Sequence, residues 1–293
     1  MMKRRWLAVW GSLFILALVG TVTSKWYAGR LADRKLAALA ARVSPYLTFQ
    51  HGPAVYNLFD GALQVNNIKV WEKRGGNLGT IRQLIVRDLD YQNKVPNYAS
   101  FTIAGMQIDL AQGKLKPLGD LLHQYGFRSL EVNISLDYRY TAPGKELAVK
   151  EISIEGVGLG MVSASMGLSN IEWPLMDNLL ASIMALSQTK LVRARIQFSD
   201  YALCDRVLEH LIASTRKSRQ EVIDTLVQKL AVAIGDQSGA FNSGISQEVS
   251  KFLGKPGTLA ATVSPDQPLT LASLYSLPVK KWAALLNLDV ASQ

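Results

Sequence analysis

From residue 6 to residue 23 the chain reads WLAVWGSLFILALVGTVT without a charge, and beyond Pro45 apolar and polar residues alternate instead. The two patterns predict different elements. A helix rises ~1.5 Å per residue, so about 18 residues span roughly 27 Å, enough for a bilayer core. Alternation at period two sends successive side chains to opposite faces of a strand.

The clearest alternation sets Leu130, Val132, Ile134, Leu136, Tyr138 and Tyr140 against Glu131, Asn133, Ser135, Asp137 and Arg139. No helix face has that period, so this segment is a strand with one buried and one wet side. Shorter alternation runs through Leu63–Val70, Ile81–Tyr91, Phe101–Leu110, Leu147–Ile154 and Val157–Met161. Asn66-Asn67 shifts the phase between Val65 and Ile68, which predicts a turn or bulge. Turn residues separate the runs at Arg74-Gly75-Gly76-Asn77, Val95-Pro96-Asn97 and Ala142-Pro143-Gly144. Short strands with turns at this spacing predict an antiparallel meander and argue against βαβ units.

The pattern changes after Trp173-Pro174. Leu175 to Leu186 has helical spacing, and Val192, Ala194, Ile196 and Phe198 then alternate with Arg193, Arg195 and Gln197. Ser199 and Asp200 can cap a helix carrying Leu203, Val207, Leu208, Leu211 and Ile212 on one face. Ser218 and Glu221 form a capping box ahead of Val222, Ile223, Leu226, Leu230 and Ile234. A helix from Ser246 stops at Gly254-Lys255-Pro256-Gly257, and strands are predicted at Thr258–Val263, Leu269–Leu274 and Leu286–Val290.

The predicted class is α+β: a single N-terminal transmembrane helix, a curved antiparallel β-rich body, and C-terminal helices packing on a sheet. Residues 1–24 are the cytoplasmic start and anchor, and 25–43 a basic juxtamembrane helix ended by Ser44-Pro45. Residues 44–174 form the β-rich part and 175–293 the helix-plus-strand part, the two making one continuous body.

Within the anchor, Trp6, Trp10, Leu13, Phe14, Ile15, Leu16, Leu18, Trp26 and Tyr27 are the membrane-embedded candidates, with indole and phenol rings near both ends. Lys3, Arg4, Arg5, Lys25, Arg30, Arg34 and Lys35 are the headgroup contacts. The net charge of +9 suggests nucleic acid until its distribution is read. Residues 1–42 hold eight Lys or Arg and one Asp, leaving 24 Lys or Arg against 22 Asp or Glu for the rest. The body is nearly neutral, so a basic stripe for nucleic acid is not expected. The expected location is the inner membrane, single-pass, with the body in the periplasm. Positive charge on both sides of the span keeps a cytoplasmic body open as an alternative. Val22 and Ser24 at the −3 and −1 positions keep open a cleaved signal and a soluble periplasmic body.

Catalytic patterns are missing from the sequence. His51, His123 and His210 are scattered, with no HExxH or CxxC, no Walker A and no GxSxG. Cys204, the single cysteine, shares a helical face with Leu208 and Leu211 and reads as a small buried hydrophobe. Gly156, Gly158 and Gly160 alternate with Val157 and Leu159 in a strand pattern, which suits close packing or a bent sheet better than a phosphate loop. Asp88 and Asp90 share a predicted strand face and read as a solvated edge beside Arg87, and Asp60-Gly61 reads as a turn. No catalytic residue, metal site or cofactor is expected. The apolar face Leu130, Val132, Ile134, Leu136, Tyr138 and Tyr140 is the one candidate site, a groove for an acyl chain if helices leave it uncovered.

A basic start, one apolar span, a short basic stalk and a strand-rich body resemble the AsmA-like and YdgA-like bacterial inner-membrane-anchored envelope proteins. The order of strand Lys190–Ser199, helix start at Ser199-Asp200, paired helices and then Phe252-Leu253-Gly254-Lys255-Pro256-Gly257-Thr258-Leu259 is similar to the latter. The resemblance implies a membrane-tethered, β-rich, non-enzymatic envelope protein, in some members linked to lipid transport or outer-membrane homeostasis. It supplies no catalytic residues, and a body shorter than the longer members' argues against a lipid-bridging role. The expected function is lipid binding or support of envelope assembly, with membrane lipids and other inner-membrane proteins as partners. The alternative is a structural subunit or assembly factor of a larger inner-membrane complex.

Overall fold

Period-two alternation recurs from Leu47 to Ser169 and again from Lys190 to Asp200, and a chain that repeats it with short turns folds back on itself strand by strand. The computed structural model describes residues 28–41, 44, 47–57, 59–72, 77–93, 95–108, 110, 116–127, 129–172, 186–234, 240–277, 282 and 284–293. Among them, twelve strands pair antiparallel into one sheet. They are β1 Leu47–Gln50, β2 Ala54–Asn57, β3 Ala62–Glu72, β4 Asn77–Leu89, β5 Tyr98–Ile108 and β6 Leu130–Thr141. The sheet continues with β7 Glu146–Gly156, β8 Gly160–Ser169, β9 Lys190–Asp200, β10 Thr258–Val263, β11 Leu269–Thr270 and β12 Asp289–Ser292. The order is β1-β3-β4-β5-β6-β7-β8-β9-β10-β12, with β2 beside β3 and β11 beside β9. From β3 to β9 every neighbour in space is the next strand in sequence.

The helices are α1 (28–41), α2 Lys116–Gln124, α3 Leu203–Thr215, α4 Arg219–Ile234, α5 Ala240–Gly254 and α6 Leu271–Ser276. Directly opposed residues in antiparallel strands share a face, so the register traces one apolar surface across the sheet. It passes from Val65 to Leu84 and Ile103, then to Ile134, Ile154 and Val162. The other face carries Gln64, Asn66, Glu131, Asn133, Ser163 and Gln197 at the intervening positions.

What covers the apolar face differs along it. At the β3 end, Ala32 and Leu36 of α1 pack with Leu63, Val65, Ile68, Val70 and Val86. Burying each such aliphatic side chain contributes about 1.5–3 kcal/mol. Lys35 of α1 donates to the Tyr56 hydroxyl at 3.1 Å and sits 4.4 Å from its ring centroid, tying α1 to β2. Leu110, ahead of α2, and Leu122 on it pack with Leu130 and Val132 at one end of β6. Tyr140, Leu147, Val149 and Ile171 form a third cluster at its other end. Leu208, Val222 and Ile223 join α3 to α4. Phe252 of α5 meets the Phe198 ring edge-on at 5.8 Å.

Local rules decide several boundaries. Ser218 and Glu221 make the expected capping box: the Ser218 N–H donates to Glu221 Oε2 at 2.7 Å and the Glu221 N–H to Ser218 Oγ at 3.3 Å. These hydrogen bonds hold the Glu221 carboxyl below its ordinary pKa. The N-cap of α3 is Ala202, not the expected Ser199 or Asp200, although Asp200 Oδ1 accepts from the Cys204 N–H in its first turn at 2.9 Å. Asn67 takes φ 52° inside β3, and the apolar phase changes there through that left-handed residue. The pairs Asn66–Gln83 and Ile68–Ile81 on either side keep one register, so the expected turn or bulge is absent, and the β3–β4 register shift falls between Val70 and Trp71.

Other expectations are corrected. The α+β class with a transmembrane helix gives way to one mostly antiparallel twelve-stranded sheet with a few helices, because β9, β10 and β12 pair into the same sheet as the strands before them. Among the described residues no helix is long and apolar enough to cross a membrane. α1 carries Arg30, Asp33, Arg34 and Lys35, and α4 carries Arg219, Glu221, Asp224 and Lys229. The single-pass inner-membrane location with a periplasmic body is corrected on the same finding. The run 6–23 that prompted it, with Trp6, Trp10, Leu13, Phe14, Ile15, Leu16, Leu18, Trp26 and Tyr27, lies outside the described residues, as do Lys3, Arg4, Arg5 and Lys25. The helix expected at Leu175 to Leu186 lies outside them up to residue 185.

Residues 157–159 are a turn, not a strand, and join β7 to β8 with Gly156 opposite Gly160. A Cβ at Gly160 would stand 2.7 Å from the Ser199 carbonyl oxygen, so close strand approach explains that glycine. The predicted strand Leu269–Leu274 is cut to Leu269–Thr270 because Thr270 Oγ1 accepts from the Ser273 N–H and caps α6. The last strand begins at Asp289, later than expected, after Asn287 takes φ 45°.

Candidate functional site

The six positions of the predicted groove do not share one environment. Leu130 and Val132 are buried under Leu110 and Leu122, and Tyr140 is buried with Ile171. The Tyr138 hydroxyl donates to the Pro96 carbonyl at 3.0 Å and the Tyr140 hydroxyl to the Ile171 carbonyl at 3.3 Å. Both phenols anchor loops. Ile134 and Leu136, between them, are half-buried. No residue of α3, α4 or α5 belongs to the clusters that bury Leu130, Val132 and Tyr140.

The register extends this middle section across the sheet. Ile134 pairs with Ile154, and Ile154 with Val162. On the next row Ile152 pairs with Ala164, Ala164 with Ile196, and Ile196 with Ala261. Ile154 is 51 % exposed, Val162 46 % and Ile196 55 %. These three are an uncovered aliphatic strip on the same face that is fully closed at Leu63 and Val65. The strip crosses β7 to β9, two interstrand steps, or roughly 10 Å at ~4.8 Å each. Its walls are α2 and the Phe252–Phe198 contact at one strand end and the Tyr140–Ile171 cluster at the other.

Sequence reasoning put Ile154 and Ile196 on strands but not with the groove. They are joined through β8, whose pairs with β9, Val162–Phe198 and Ala164–Ile196, span 36 and 32 residues of sequence, and no local pattern carries that. The signal that was present is the shared phase of each alternation.

The remaining candidates are structural. Asp88 and Asp90 do not form one solvated edge, since Asp88 is on β4 while Asp90 lies just past its end at Leu89 and is buried. Asp88 meets Arg139 at 3.2 Å on the surface. Asp90 is buried and closes the β4–β5 loop: Oδ1 accepts from the N–H groups of Gln92 and Asn93, Oδ2 from Asn93 Nδ2 at 2.6 Å and the Asn97 N–H at 3.0 Å. Burial pushes its pKa up, but the hydrogen bonds from Asn97, Asn93 and Gln92 together outweigh burial and bring it to about 2. Glu248 of α5 accepts from the Ser292 N–H at 2.8 Å and its hydroxyl at 2.7 Å, pinning β12. Lys251 and Ser292 draw its pKa to about 2.

Cys204 is a poor nucleophile, because burial first, then the Asp200 carboxylate, push its thiol to about 12. His51 Nδ1 lies 2.7 Å from the Gly52 carbonyl, and His210 stacks edge-on with Tyr125 at 5.3 Å. His123 closes the last turn of α2. Among the described residues no group of three or more His, Cys, Asp or Glu could hold a metal ion. Of the expected headgroup contacts that are described, Lys35 is engaged with Tyr56, while Arg30 and Arg34 are exposed on α1.

A family model described only as "Uncharacterized protein" matches residues 153–293, from within β7 to the end of the chain. No curated protein matches it.

Proposed function

We propose that this chain is a non-enzymatic lipid-binding protein that holds an acyl chain along the open strip of its apolar sheet face. The observation that carries the reading is the contiguous exposure of Ile154, Val162 and Ile196 on a face buried elsewhere. Large aliphatic side chains in register, with water on them, are a surface that gains free energy when covered. The strip is aliphatic, and alternation turns the neighbouring Ser153, Ser163 and Gln197 to the other face. It therefore offers contact area without hydrogen-bonding groups, which suits a hydrocarbon chain. A peptide strand has no purchase there, since the strands beneath are paired on both sides and expose no edge.

The test is lipid extraction and mass spectrometry of the purified full chain, compared with an Ile154→Glu/Ile196→Glu variant. The expected result is an acyl lipid that co-purifies with the parent and drops about tenfold or more in the variant, at unchanged far-ultraviolet circular dichroism. Equal lipid in both proteins, or none in either together with no binding of a fluorescent fatty acid, would overturn the proposal.

A further inference from the structure

The polar face has a built feature of its own, behind β7 to β10. The β7–β8 register shifts between Val149 and Ile152, and the extra residue there is Lys150. On β9, Arg193 pairs with Gly167, and Arg195 pairs with Ser165 on one side and Thr262 on the other. Arg193 lies across Gly167, its Cγ 3.4 Å from where a Cβ would be. Ala148, directly opposite Gly167 on the β7 side, is also small. The result is a depression of about 430 Å³ with Ala148 and Ser165 in its floor and Lys150, Arg193, Arg195 and Thr262 around it. A second hollow of about 260 Å³ shares Lys150, Ser165 and Arg195 and adds Ser163 and Gln197.

Among the described residues none of the three cations forms an ion pair. Of the nearby carboxylates, Glu151 lines the second hollow but not the first. Glu151 accepts from the Ser153 hydroxyl at 3.0 Å, Asp137 stands opposite Glu151 on β6, and Asp289 lies beyond Thr262 on β12. Arg195 Nη2 donates to Gln197 Oε1 at 3.3 Å, and Gln197 Nε2 in turn to Ser199 Oγ at 3.4 Å, which orients the guanidinium along β9.

We infer that this depression binds a phosphate group. Two guanidinium forks, an ammonium and the Ser165 and Thr262 hydroxyls surround the larger hollow with no carboxylate in its lining, and guanidinium geometry matches phosphate oxygens in pairs. The site lies on the face opposite the aliphatic strip, so it is independent of the lipid reading. The phosphate could come from a lipid headgroup or a soluble ion, because the chemistry recognised is the same.

The experiment titrates the full chain with inorganic phosphate and, separately, with phosphatidylcholine vesicles with and without phosphatidic acid. The proteins are the parent, Arg193→Gln/Arg195→Gln, Lys150→Gln, and Lys69→Gln as a remote control on the same face. Phosphate binding that weakens about tenfold in the double variant, less in Lys150→Gln and not in Lys69→Gln, supports the site. Vesicle binding that needs phosphatidic acid and is displaced by inorganic phosphate identifies the headgroup as the source; phosphate binding without vesicle binding identifies a soluble ion. Melting temperatures of the variants matching the parent exclude misfolding, and Lys150→Gln decides alone if the double variant does not fold. No affinity for phosphate or either vesicle, or equal weakening in Lys69→Gln, would overturn the inference. Failure here leaves the Ile154/Ile196 test of the strip untouched.

Discussion

Leu63 and Ile154 stand on the same face of the same sheet, each in an alternating strand, yet Leu63 is fully buried and Ile154 is 51 % exposed. What separates them is the layer above. α1 lays Ala32 and Leu36 over β3, whereas α2 and the Tyr140–Ile171 cluster reach only the two ends of β6. Strand alternation specifies which face is apolar; a second layer specifies whether that face is core or surface. The closed region stabilises the fold and the open one is available to a ligand.

The comparison breaks most directly by truncation. Leu63→Ala should cost about 3 kcal/mol, and Ile154→Ala less than about 1 kcal/mol, because only the first leaves a cavity. Denaturant unfolding measures both, and equal costs would mean that the strip is covered after all. Next in size is Asp90→Ala, expected to cost about 2 kcal/mol by leaving buried N–H donors unsatisfied in the loop beside the closed region. Its pH dependence has a definite sign. The folded pKa near 2 lies below the ordinary 3.8, so the carboxylate contributes stability fully above pH 3.8 and loses it as pH falls towards 2. The difference in stability between the parent and Asp90→Asn should therefore shrink across that window, and a difference that grows on acidification contradicts the assignment.

Ser218→Ala removes one half of the capping box and should cost about 1 kcal/mol, read as a shift in the denaturation midpoint. Since α4 lies off the strip, lipid retention should not change; a parallel loss would place the C-terminal helices in the site. The smallest stability effect belongs to Ile196→Ser, about 0.5 kcal/mol at an exposed strand position. Its binding of a fluorescent fatty acid should fall nonetheless, and that divergence between stability and binding is the sharpest statement of the difference between the two regions.

Much of this was legible locally. The alternation of Leu130 to Tyr140 became β6, the capping box formed on Ser218 and Glu221, and the change of apolar phase fell at Asn67, which takes φ 52°. Each depends on contacts within a few residues. Gly156 to Gly160 misled because glycines alternating with Val157 and Leu159 look like a strand, whereas Gly158 takes φ 74° in a turn closed by the Leu159 N–H on the Gly156 carbonyl at 2.8 Å. Asp90 misled because its partners lie ahead of it in a loop that closes only when β4 and β5 pair.

By itself the sequence determined the strands, their apolar phase and the polarity of the two faces, since those follow from the two-residue period of an extended backbone. Only the tertiary structure decided that all twelve described strands form one sheet and that helices close one stretch of its apolar face while leaving Ile154, Val162 and Ile196 open. Burial is a property of what packs above a residue, and that neighbour is brought there by pairing over long stretches of chain.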